Sequence, residues 1–247
     1  MFYHEAVTER ISIMAFDKVI IPTEKELIIQ QLEKKIISGE LAAGVKLPTE
    51  RELAEELGVT KSVVHFALKE LEQLKFLRCV PRHGTYVNDW LCCGNFETLN
   101  AVLKLQGVNV DAELKNSLIQ MRNVIESDAM QLCSQRCNEE DYAQLQSAID
   151  KLAASPDDAG SKVHAELIRE FHLLIVEKSG NLMYPIMMRA FSDFSAIIWE
   201  RCVEFWSKKR VVELEQEQLD LIRAGKGEKA GEQIKEMHKC FLAGKKI

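Results

Sequence analysis

The chain has 247 residues, of which 47% are hydrophobic and 28% are charged, and it contains 12 glycines and 5 prolines. This length predicts two domains of modest size, and this composition excludes a fibrous, collagen-like or wholly disordered protein. Because 38 acidic residues outweigh 32 basic ones and give a net charge of -6, the chain does not suit a general coat for nucleic acid or anionic membranes, and DNA binding would need a local basic patch.

No apolar run in the sequence approaches the roughly 20 residues that span a bilayer. The best N-terminal run, residues 11–16, is flanked by charges and lacks the cleavage site of a signal peptide. Seven irregularly spaced cysteines indicate reduced thiols in the cytoplasm rather than a disulfide scaffold. Cys133 and Cys137 lie one helical turn apart and could share a metal, although buried small apolar side chains are the more common role of such a pair.

The first predicted elements are two helices that begin at capping boxes. Thr23 opens a helix that Gly39 ends, and Thr49 opens a helix of about two turns that Gly58 ends. Between them, residues 44–48 predict a short turn.

A third helix and a hairpin follow. Thr60 caps a helix that runs to about Leu74, and two β-prone pieces, 76–80 and 85–87, are joined by a tip at residues 81–84. Helix, short helix, glycine turn, helix and hairpin in this order predict a winged helix-turn-helix. In such a unit the second helix of the pair enters the major groove, where its first-turn side chains meet base edges.

A charge inversion supports DNA binding by this unit. Between Val59 and Tyr86 the sequence contains five cationic residues and two acidic ones, so this stretch is net positive within a chain of net charge -6. The side chains that point away from the buried face of the third helix are Ser62, His65, Phe66, Lys69 and Gln73. A helix-turn-helix with a purely structural role is the alternative, and the charge inversion weighs against it.

From Asp111 onward the apolar spacing is helical to the end of the chain. The predicted helices are a short one over 96–105, a long one from Asp111, one over 138–152, one around 163–175, one restarting at Asn181, and two more over 211–223 and 228–242. The fold class is therefore mainly α, with a winged helix-turn-helix followed by an all-α bundle of about seven helices. We expect a DNA-binding domain over 1–89, which includes an N-terminal arm, and an effector-binding domain over 90–247.

Two stretches of the first domain carry a family resemblance. The string ISGELAAGVKLPTERELAEELGVT (37–60) and the string HGTYV (83–87) resemble the DNA-binding domain of the GntR family of bacterial transcription regulators. The second half is similar to the all-helical, FCD-type ligand-sensing domain of the FadR-like (fatty-acid-regulator) subfamily. Its matching pieces are Met121–Glu126, Phe171–His172, Ser179–Asn181 and a final helix with His238. The resemblance implies a homodimer that binds a two-fold operator in double-stranded DNA, with a small-molecule effector modulating its affinity.

Carried over from the family, the DNA contacts fall on Arg51, Thr60, Lys61, Ser62, His65, His83 and Gly84. The family usually has arginine where Lys61 and His65 stand, and an acidic residue where Phe66 stands. Lysine lacks the bidentate fork for guanine, so we expect a different operator. Phe66 is predicted to pack against a thymine methyl group, with packing beneath the hairpin as the alternative.

Many relatives hold a divalent metal in the second domain, and the sequence departs from that pattern. Ile168 replaces the family's aspartate, Glu215 stands near the second histidine position, and His238 lies one residue beyond the third. We therefore expect no metal and no cofactor. A metal, if bound, would use His172, Glu215 and His238.

The predicted effector-binding residues are Arg122, Glu126, His172, Asn181 and Trp199. Arg122 is the first candidate anchor for an anionic ligand, although with Glu126 it also forms an i,i+4 pair typical of a salt bridge on one helix. The metal-free branch of the subfamily includes regulators that respond to long-chain acyl-CoA, and Trp206, Met187 and Met188 would suit an apolar tail. A dicarboxylate or a sugar acid is the rival effector.

The sequence thus predicts a cytoplasmic transcription regulator, acting as a repressor, that has no enzyme activity and no membrane partner. The chain lacks the His-Glu-x-x-His, Gly-x-Ser-x-Gly and phosphate-loop motifs of common enzyme classes. Residues 225–230 match a loose dinucleotide pattern but follow a helix rather than a strand. The first alternative is a metal-dependent sensor of dicarboxylates or sugar acids in the same family. The second is a small-molecule-binding protein or enzyme that does not bind DNA.

Overall fold

Side-chain caps fix where the first helices begin in the computed structural model, which describes residues 21–107 and 110–244. The first three helices are α1 (Glu24–Ile37), α2 (Glu50–Leu57) and α3 (Lys61–Gln73). Both predicted capping boxes are present, because the side chains of Thr23 and Thr49 each accept the backbone N–H of a glutamate three residues later. The predicted N-terminal arm, up to residue 20, lies outside the described residues.

The predicted hairpin follows α3. Its strands are β1 (Leu77–Val80) and β2 (Gly84–Val87), which pair antiparallel. Leu77 lies opposite Val87, and Val80 lies opposite Gly84. Gly84 has a φ of 114°, a conformation that a residue with a β-carbon rarely adopts, so glycine suits the tip of this hairpin.

The segment before α2 is only in part the short turn that its sequence predicts, because some of its residues pair with a strand. The backbone turns back near Val45, whose N–H bonds the carbonyl of Ala42, but the following residues run against β2. The N–H of Leu47 donates to the carbonyl of Thr85 over 2.9 Å, and the N–H of Val87 donates to the carbonyl of Val45 over 2.9 Å. These bonds join residues some forty positions apart, and the local pattern of residues 44–48 holds no sign of them.

The rest of the described chain is helical, as predicted. Its helices are α4 (Trp90–Cys93), α5 (Phe96–Gln106), α6 (Ala112–Arg136), α7 (Glu139–Ala154), α8 (Ser161–Lys178), α9 (Met183–Ala190), α10 (Ser192–Arg223) and α11 (Gly227–Ala243). A short 3₁₀ turn, Asp157–Ala159, precedes α8. The buried side chains of α6, α7, α8, α10 and α11 form one apolar core. In the described residues none of these helices is long and apolar enough to cross a membrane.

The helices after Asn181 divide differently from the prediction. The helix predicted to restart there ends at Ala190, and a helical stretch that was not predicted begins at Ser192. It meets the helix predicted around 211–223 at a break at Ser207, and the two together form α10. Ser207 interrupts α10 with a φ of 67° and a ψ of 152°, a conformation that costs a non-glycine residue about 1–3 kcal/mol. The next residue, Lys208, bonds the carbonyl of Ser155 over 2.6 Å, which anchors the break to the end of α7.

The chain divides into two units, the first formed by residues up to Gln73 with Leu77–Val87, and the second by Leu74–Phe76 with the residues from Asn88 onward. Within the second unit, α11 lies at backbone contact with α6. A β-carbon built on Gly227 would lie 2.4 Å from the carbonyl oxygen of Met130. Because that distance is far below van der Waals contact, the close packing of α6 and α11 requires glycine at this position.

Candidate functional site

The predicted DNA contacts on α2 and α3 reach into solvent. The exposed side-chain fraction is 83% for Arg51 and 69% for Lys61, while Phe66 is 63% exposed. Thr60 and Ser62 are also exposed, and the Thr60 hydroxyl accepts the N–H of Val63 over 3.4 Å, so it helps to cap α3. The first turn of α3 therefore presents polar and cationic groups in the way that major-groove reading requires.

Carboxylates at the start of α2 pair with these cations. Glu50 lies 2.7 Å from Nδ1 of His65 and 3.7 Å from Nζ of Lys61. The Nε of Arg51 donates to Glu55 over 2.9 Å. Glu50 was not among the predicted site residues, although its place in the first turn of α2, beside Arg51, was visible in the sequence. Binding to DNA phosphate would have to displace these ion pairs.

The hairpin lies beside α3 in the same unit. His65 and Lys69 line a shallow groove of about 30 Å³ together with Cys79 and Thr85 of the two strands. His83 is exposed at the hairpin tip, where its N–H donates to the carbonyl of Val80 over 2.9 Å. A β-carbon on Gly84 would lie 2.8 Å from the side chain of Lys46, so glycine also leaves room for that lysine.

Phe66 does not pack beneath the hairpin. It borders an open notch of about 310 Å³ on the other side of α3, next to Lys25 of α1 and to Gln73. Its ring meets the His65 ring edge-on, with centroids 5.8 Å apart. The side chain is thus free to contact another molecule, as the thymine-methyl prediction requires.

A buried polar cluster lies in the second unit, with Arg122 at its centre. The Arg122 and Glu126 side chains are each 1% exposed, and Nη2 of Arg122 donates to Glu126 over 2.7 Å. Nη1 of Arg122 donates to the hydroxyl of Ser195, and the guanidinium carbon lies 5.7 Å from the ring of Trp199. The predicted i,i+4 pair on α6 is therefore buried and bonded to α10.

Two histidines complete the cluster. His172 stacks on Trp199 with ring centroids 4.3 Å apart, and its Nδ1 lies 3.4 Å from Glu126. His238 lies 3.5 Å from the other oxygen of Glu126, and its Nδ1 is 2.7 Å from the amide oxygen of Asn123. Helices α6, α8, α10 and α11 thus each contribute a side chain to one site.

Burial controls the charge of the cluster. It lowers the pKa of His172 and the pKa of His238 well below the usual 6.5, and the Arg122 guanidinium lowers both further. Both rings are therefore neutral at neutral pH. Burial also raises the pKa of Glu126, against the opposing effect of Arg122. The guanidinium is the permanent charge here, because arginine does not lose its proton in proteins.

Polar atoms without hydrogen-bond partners lie on or near the wall of a small cavity. Among the described residues the unpartnered groups of the cluster include Nε of Arg122, Nε1 of Trp199, both ring nitrogens of His172 and Nε2 of His238. The cavity measures about 10 Å³, which is roughly the room that one water needs. Its lining residues are Arg122, Arg169, His172, Leu173, Met188, Arg189, Ser195 and Trp199. Nε of Arg122 and Nε1 of Trp199 are unpartnered donors on this lining, whereas the Arg169 and Arg189 guanidinium groups pair with Glu166 and Glu177. The cavity therefore offers donors to an anion that displaces those two carboxylates.

The residues present do not fit a divalent metal. Ile168, which stands at the family's aspartate position, is fully buried and has no donor atom. Within the described residues no three histidine, cysteine, aspartate or glutamate side chains are arranged as a metal-binding group. The Arg122 guanidinium already provides a positive charge next to Glu126, and a cation there would meet repulsion.

Four predicted residues are not among those that line the cavity. Glu126 and His238 belong to the polar cluster beside it. The side-chain oxygen of Asn181 accepts the N–H of Met183, so it orders the turn before α9, and Asn181 is not among the lining residues. Glu215 is fully buried, but it too is not among the lining residues. Sequence reasoning missed Arg169, Arg189 and Ser195, since their spacing gives no sign that three helices bring them to one place.

Replacing Glu215 by glutamine is expected to stabilise the protein increasingly as the pH rises. Neither carboxylate oxygen has a hydrogen-bond partner among the described residues, and burial raises the pKa well above 4.5. Because the folded state holds the proton that the unfolded state releases, this contribution to stability is complete below the unfolded pKa and is lost as the pH rises towards the folded pKa. The loss reaches about 1.4 kcal/mol per pH unit, and the variant avoids it.

Urea unfolding at pH 5, 6, 7 and 8 measures this difference between Glu215→Gln and the parent protein. Glu228→Gln, an exposed site on α11, is the matched control and should show no pH trend. A constant difference between Glu215→Gln and the parent across that range would contradict the buried, protonated state.

Comparison with known families gives two separate matches. Residues 22–87 match the family described as bacterial regulatory proteins, gntR family, and residues 117–238 match the FCD domain. The first match contains α1, α2, α3 and the hairpin, and the second contains the buried polar cluster.

Curated relatives carry names of the same kind. The uncharacterized HTH-type transcriptional regulator YcbG of Bacillus subtilis is 31% identical over 174 residues, which are 70% of this chain and 70% of that protein. The galactonate operon transcriptional repressor of Escherichia coli is 22% identical over 70% of this chain and 75% of its own length. The solved structure of Lar, which controls expression of the Listeria monocytogenes agr system, covers 91% of this chain and 97% of its own at 18% identity, with a TM-score of 0.59. That likeness supports the fold alone.

Proposed function

Because this chain belongs to the GntR family of bacterial transcription regulators and carries an FCD domain, we propose that it binds operator DNA through α2, α3 and the hairpin and that a small anionic metabolite in the helical bundle modulates this binding. The DNA-binding domain is residues 1–89, and the effector-binding domain is residues 90–247. The proposal of effector binding rests on the cavity, which three arginines line beside the neutral ring of His172.

The proposed DNA contacts are the predicted set on α2, α3 and the hairpin tip. Exposure of Arg51 and Lys61, together with the local excess of positive charge, supports phosphate contacts from both. His65 and Ser62 lie on the exposed face of α3, where base edges would be read. Phe66 supplies an apolar contact of the kind that a thymine methyl accepts.

The effector is proposed to be a compact molecule with more than one anionic group, such as a dicarboxylate or a sugar acid. Arg122 would hold one group, and Arg169 and Arg189 at the cavity wall would hold another. A cavity of about 10 Å³ has room for about one water, so any effector must repack the surrounding side chains in order to enter. An acyl chain requires much more repacking than a compact anion does, so the acyl-CoA class has less support. The relative named for the galactonate operon agrees with a sugar acid.

Other parts of the assignment remain proposals as well. They are placement in the FadR-like subfamily, a homodimer that reads a two-fold operator, action as a repressor, location in the cytoplasm and the lack of enzyme activity. The dimer is what the family resemblance implies. In such a dimer two linked half-sites must match the groove repeat, and a rotation that misplaces one of them weakens binding to both.

Selection of bound duplexes from a random-sequence pool tests the function directly. We expect a two-fold motif, binding that weakens as salt rises, and release of the selected duplex by one member of a panel of dicarboxylates and sugar acids. A thermal shift with the same compound would confirm that it binds the protein. Failure to bind any duplex at low salt would leave a small-molecule-binding protein without DNA binding.

Replacing Glu50 by glutamine is expected to strengthen binding to non-specific duplex DNA several-fold. Glu50 pairs with His65 and Lys61, so the substitution removes a repulsive charge and frees the Lys61 ammonium for a phosphate. The slope of log affinity against log salt should become steeper by about one unit for each cation that gains a phosphate. Fluorescence anisotropy at several salt concentrations measures both quantities.

Glu56→Gln is the matched control for this prediction. Glu56 lies on the same helix and is exposed, and the substitution changes the net charge equally. Equal gains in affinity for the two variants would mean that net charge, rather than release of Lys61 and His65, causes the effect.

A further inference from the structure

Two thiols meet where α6 ends. Cys133 is fully buried in the last turn of α6, and Cys137 is the half-buried residue that caps the helix. The Cys133 thiol lies 3.0 Å from the carbonyl oxygen of Ile175 on α8 and also within hydrogen-bonding reach of the Cys137 thiol. The pair thus places a half-buried cysteine beside a fully buried one.

The backbone allows these sulfurs to form a covalent bond. Four residues of helix separate their Cα atoms by about 6 Å, which lies within the range of disulfides. Cys137 itself has left the helix, with a φ of -63° and a ψ of 137°, while its N–H still bonds the carbonyl of Cys133 over 3.0 Å. The extended backbone at Cys137 gives its side chain freedom to turn towards α6.

Charged groups around Cys137 favour its thiolate on balance. The hydrogen bond from Cys133 lowers the pKa of the Cys137 thiol, and the Lys178 ammonium lowers it further, while burial and Asp141 act in the opposite direction. Lys178 and Asp141 are themselves paired at 2.8 Å. Cys137 also lies between the C-terminus of α6 and the N-terminus of α7, so the effects of the two helix dipoles oppose each other.

We propose that Cys137 is a peroxide-reactive thiol that closes an internal disulfide with Cys133. The Cys137 thiolate attacks hydrogen peroxide, so that an S–O bond forms, the O–O bond breaks, and the released hydroxide takes a proton to become water. Cys137 is then a sulfenic acid. The Cys133 sulfur attacks Sγ of Cys137 and loses its proton, the S–O bond breaks, and a second water leaves. Two thiols are oxidised, and one peroxide is reduced to two waters.

The other cysteines lack one of these features. Cys79, Cys92 and Cys93 are exposed, and Asp89 raises the pKa of Cys92, which disfavours its thiolate. Cys202 is buried, and burial raises the pKa of its thiol as well. Cys240 is half-buried, but its sulfur lies beside the Glu236 carboxylate, at 3.9 Å, rather than beside a second thiol. Cys137 therefore combines access to solvent with a lowered pKa and a second sulfur within reach.

The disulfide would change a contact between helices of the effector-binding unit. To bond Cys137, the Cys133 sulfur must give up its hydrogen bond to Ile175, one turn along α8 from His172. The Arg136 guanidinium, which bonds the carbonyl of Ser179 over 2.7 Å, belongs to a residue inside the ring that the disulfide closes. Oxidation thus acts where α6 and α8 meet.

Tryptic mapping of the full-length wild-type protein tests the proposal, because Arg136 lies between the two cysteines. Trypsin cleaves after Arg122, Arg136 and Lys151, so a Cys133–Cys137 disulfide links peptide 123–136 to peptide 137–151. We expect this linked pair after equimolar hydrogen peroxide and alkylation of the remaining thiols, and its loss on addition of dithiothreitol. Absence of the linked pair while the exposed cysteines become oxidised overturns the proposal.

Reactivity is measured on the same wild-type protein, so the result does not depend on a variant that folds. At pH 7 and limiting iodoacetamide, Cys137 should be alkylated faster than Cys79, since a lowered pKa raises the fraction of reactive thiolate. Equal or slower alkylation of Cys137 contradicts its role as the attacking thiol. In Cys133→Ser the reaction should stop at a dimedone-reactive sulfenic acid on Cys137, whereas the matched control Cys79→Ser should still form the linked pair.

Discussion

Replacing Arg122 by methionine is expected to lower the free energy of unfolding by about 3–5 kcal/mol, the usual cost of removing one partner from a buried ion pair. Methionine fills much of the volume of the arginine stem but leaves Glu126, which is 1% exposed, without its bonded cation. It also removes the hydrogen bond to Ser195 and the interaction with the Trp199 ring. Urea unfolding at pH 7 measures the loss.

A double variant separates the effect of the charge pair from the effect of packing. Arg122→Met with Glu126→Gln removes both charges, so it should recover a large part of the stability, because no unpaired charge is then buried. Arg201→Met, at an exposed site on α10, is the matched control and should stay within about 0.5 kcal/mol of the parent protein. A loss below about 1 kcal/mol for Arg122→Met would mean that the guanidinium does not stabilise the cluster. If the double variant folds well but no longer responds to the effector, Arg122 is needed for the ligand as well as for the fold.

The double substitution Arg51→Ala with Lys61→Ala is expected to weaken operator binding by about 100-fold. Interactions with bases and phosphates are worth about 1–3 kcal/mol each, and these two side chains are the most exposed cations of the predicted set. The effect is reduced by the ion pairs that Arg51 and Lys61 must give up to bind DNA. Affinity for the selected operator, measured by anisotropy at a fixed salt concentration, gives its size.

Lys34→Ala controls for the loss of an exposed cation, with one charge removed where the double variant removes two. Lys34 is an exposed cation on α1 in the same unit and lies outside the predicted DNA-binding surface. We expect it to alter affinity less than twofold, while the salt slope of the double variant falls by about one unit for each phosphate that the protein no longer neutralises. If Lys34→Ala weakens binding as strongly as the double variant, the DNA-binding surface lies elsewhere on the unit.

Local signals in the sequence predicted much of the fold. Capping boxes act between residues three apart, so Thr23 and Thr49 placed two helix starts correctly. The pairing of residues 45–47 with β2 and the break at Ser207 depend on interactions with distant segments. Hydrophobic spacing carries no information about such interactions, and these parts of the fold were missed.

The candidate site, like the fold, was predicted only where its interactions are local in the sequence. The spacing of Arg122 and Glu126 predicted their pairing, because side chains four residues apart on a helix are neighbours. Asn123, Ser195 and Arg189 lie on three different helices, and the packing of those helices brings their side chains to the site. The spacing of residues in a single sequence does not reveal that packing. The burial that makes the histidines neutral is likewise a property of the packed core.

The contact of α11 with α6 through glycine limits how the effector cavity can open. Because Gly227 and Gly231 let the two helices approach closely, rotation or sliding of either helix would disrupt a tightly packed contact. Arg122 and His238 therefore lie on one closely packed pair of helices. At the boundary between this pair and α10, Arg122 donates a hydrogen bond to Ser195. A ligand that enters along this boundary exchanges one partner of the guanidinium and leaves the α6–α11 pair packed.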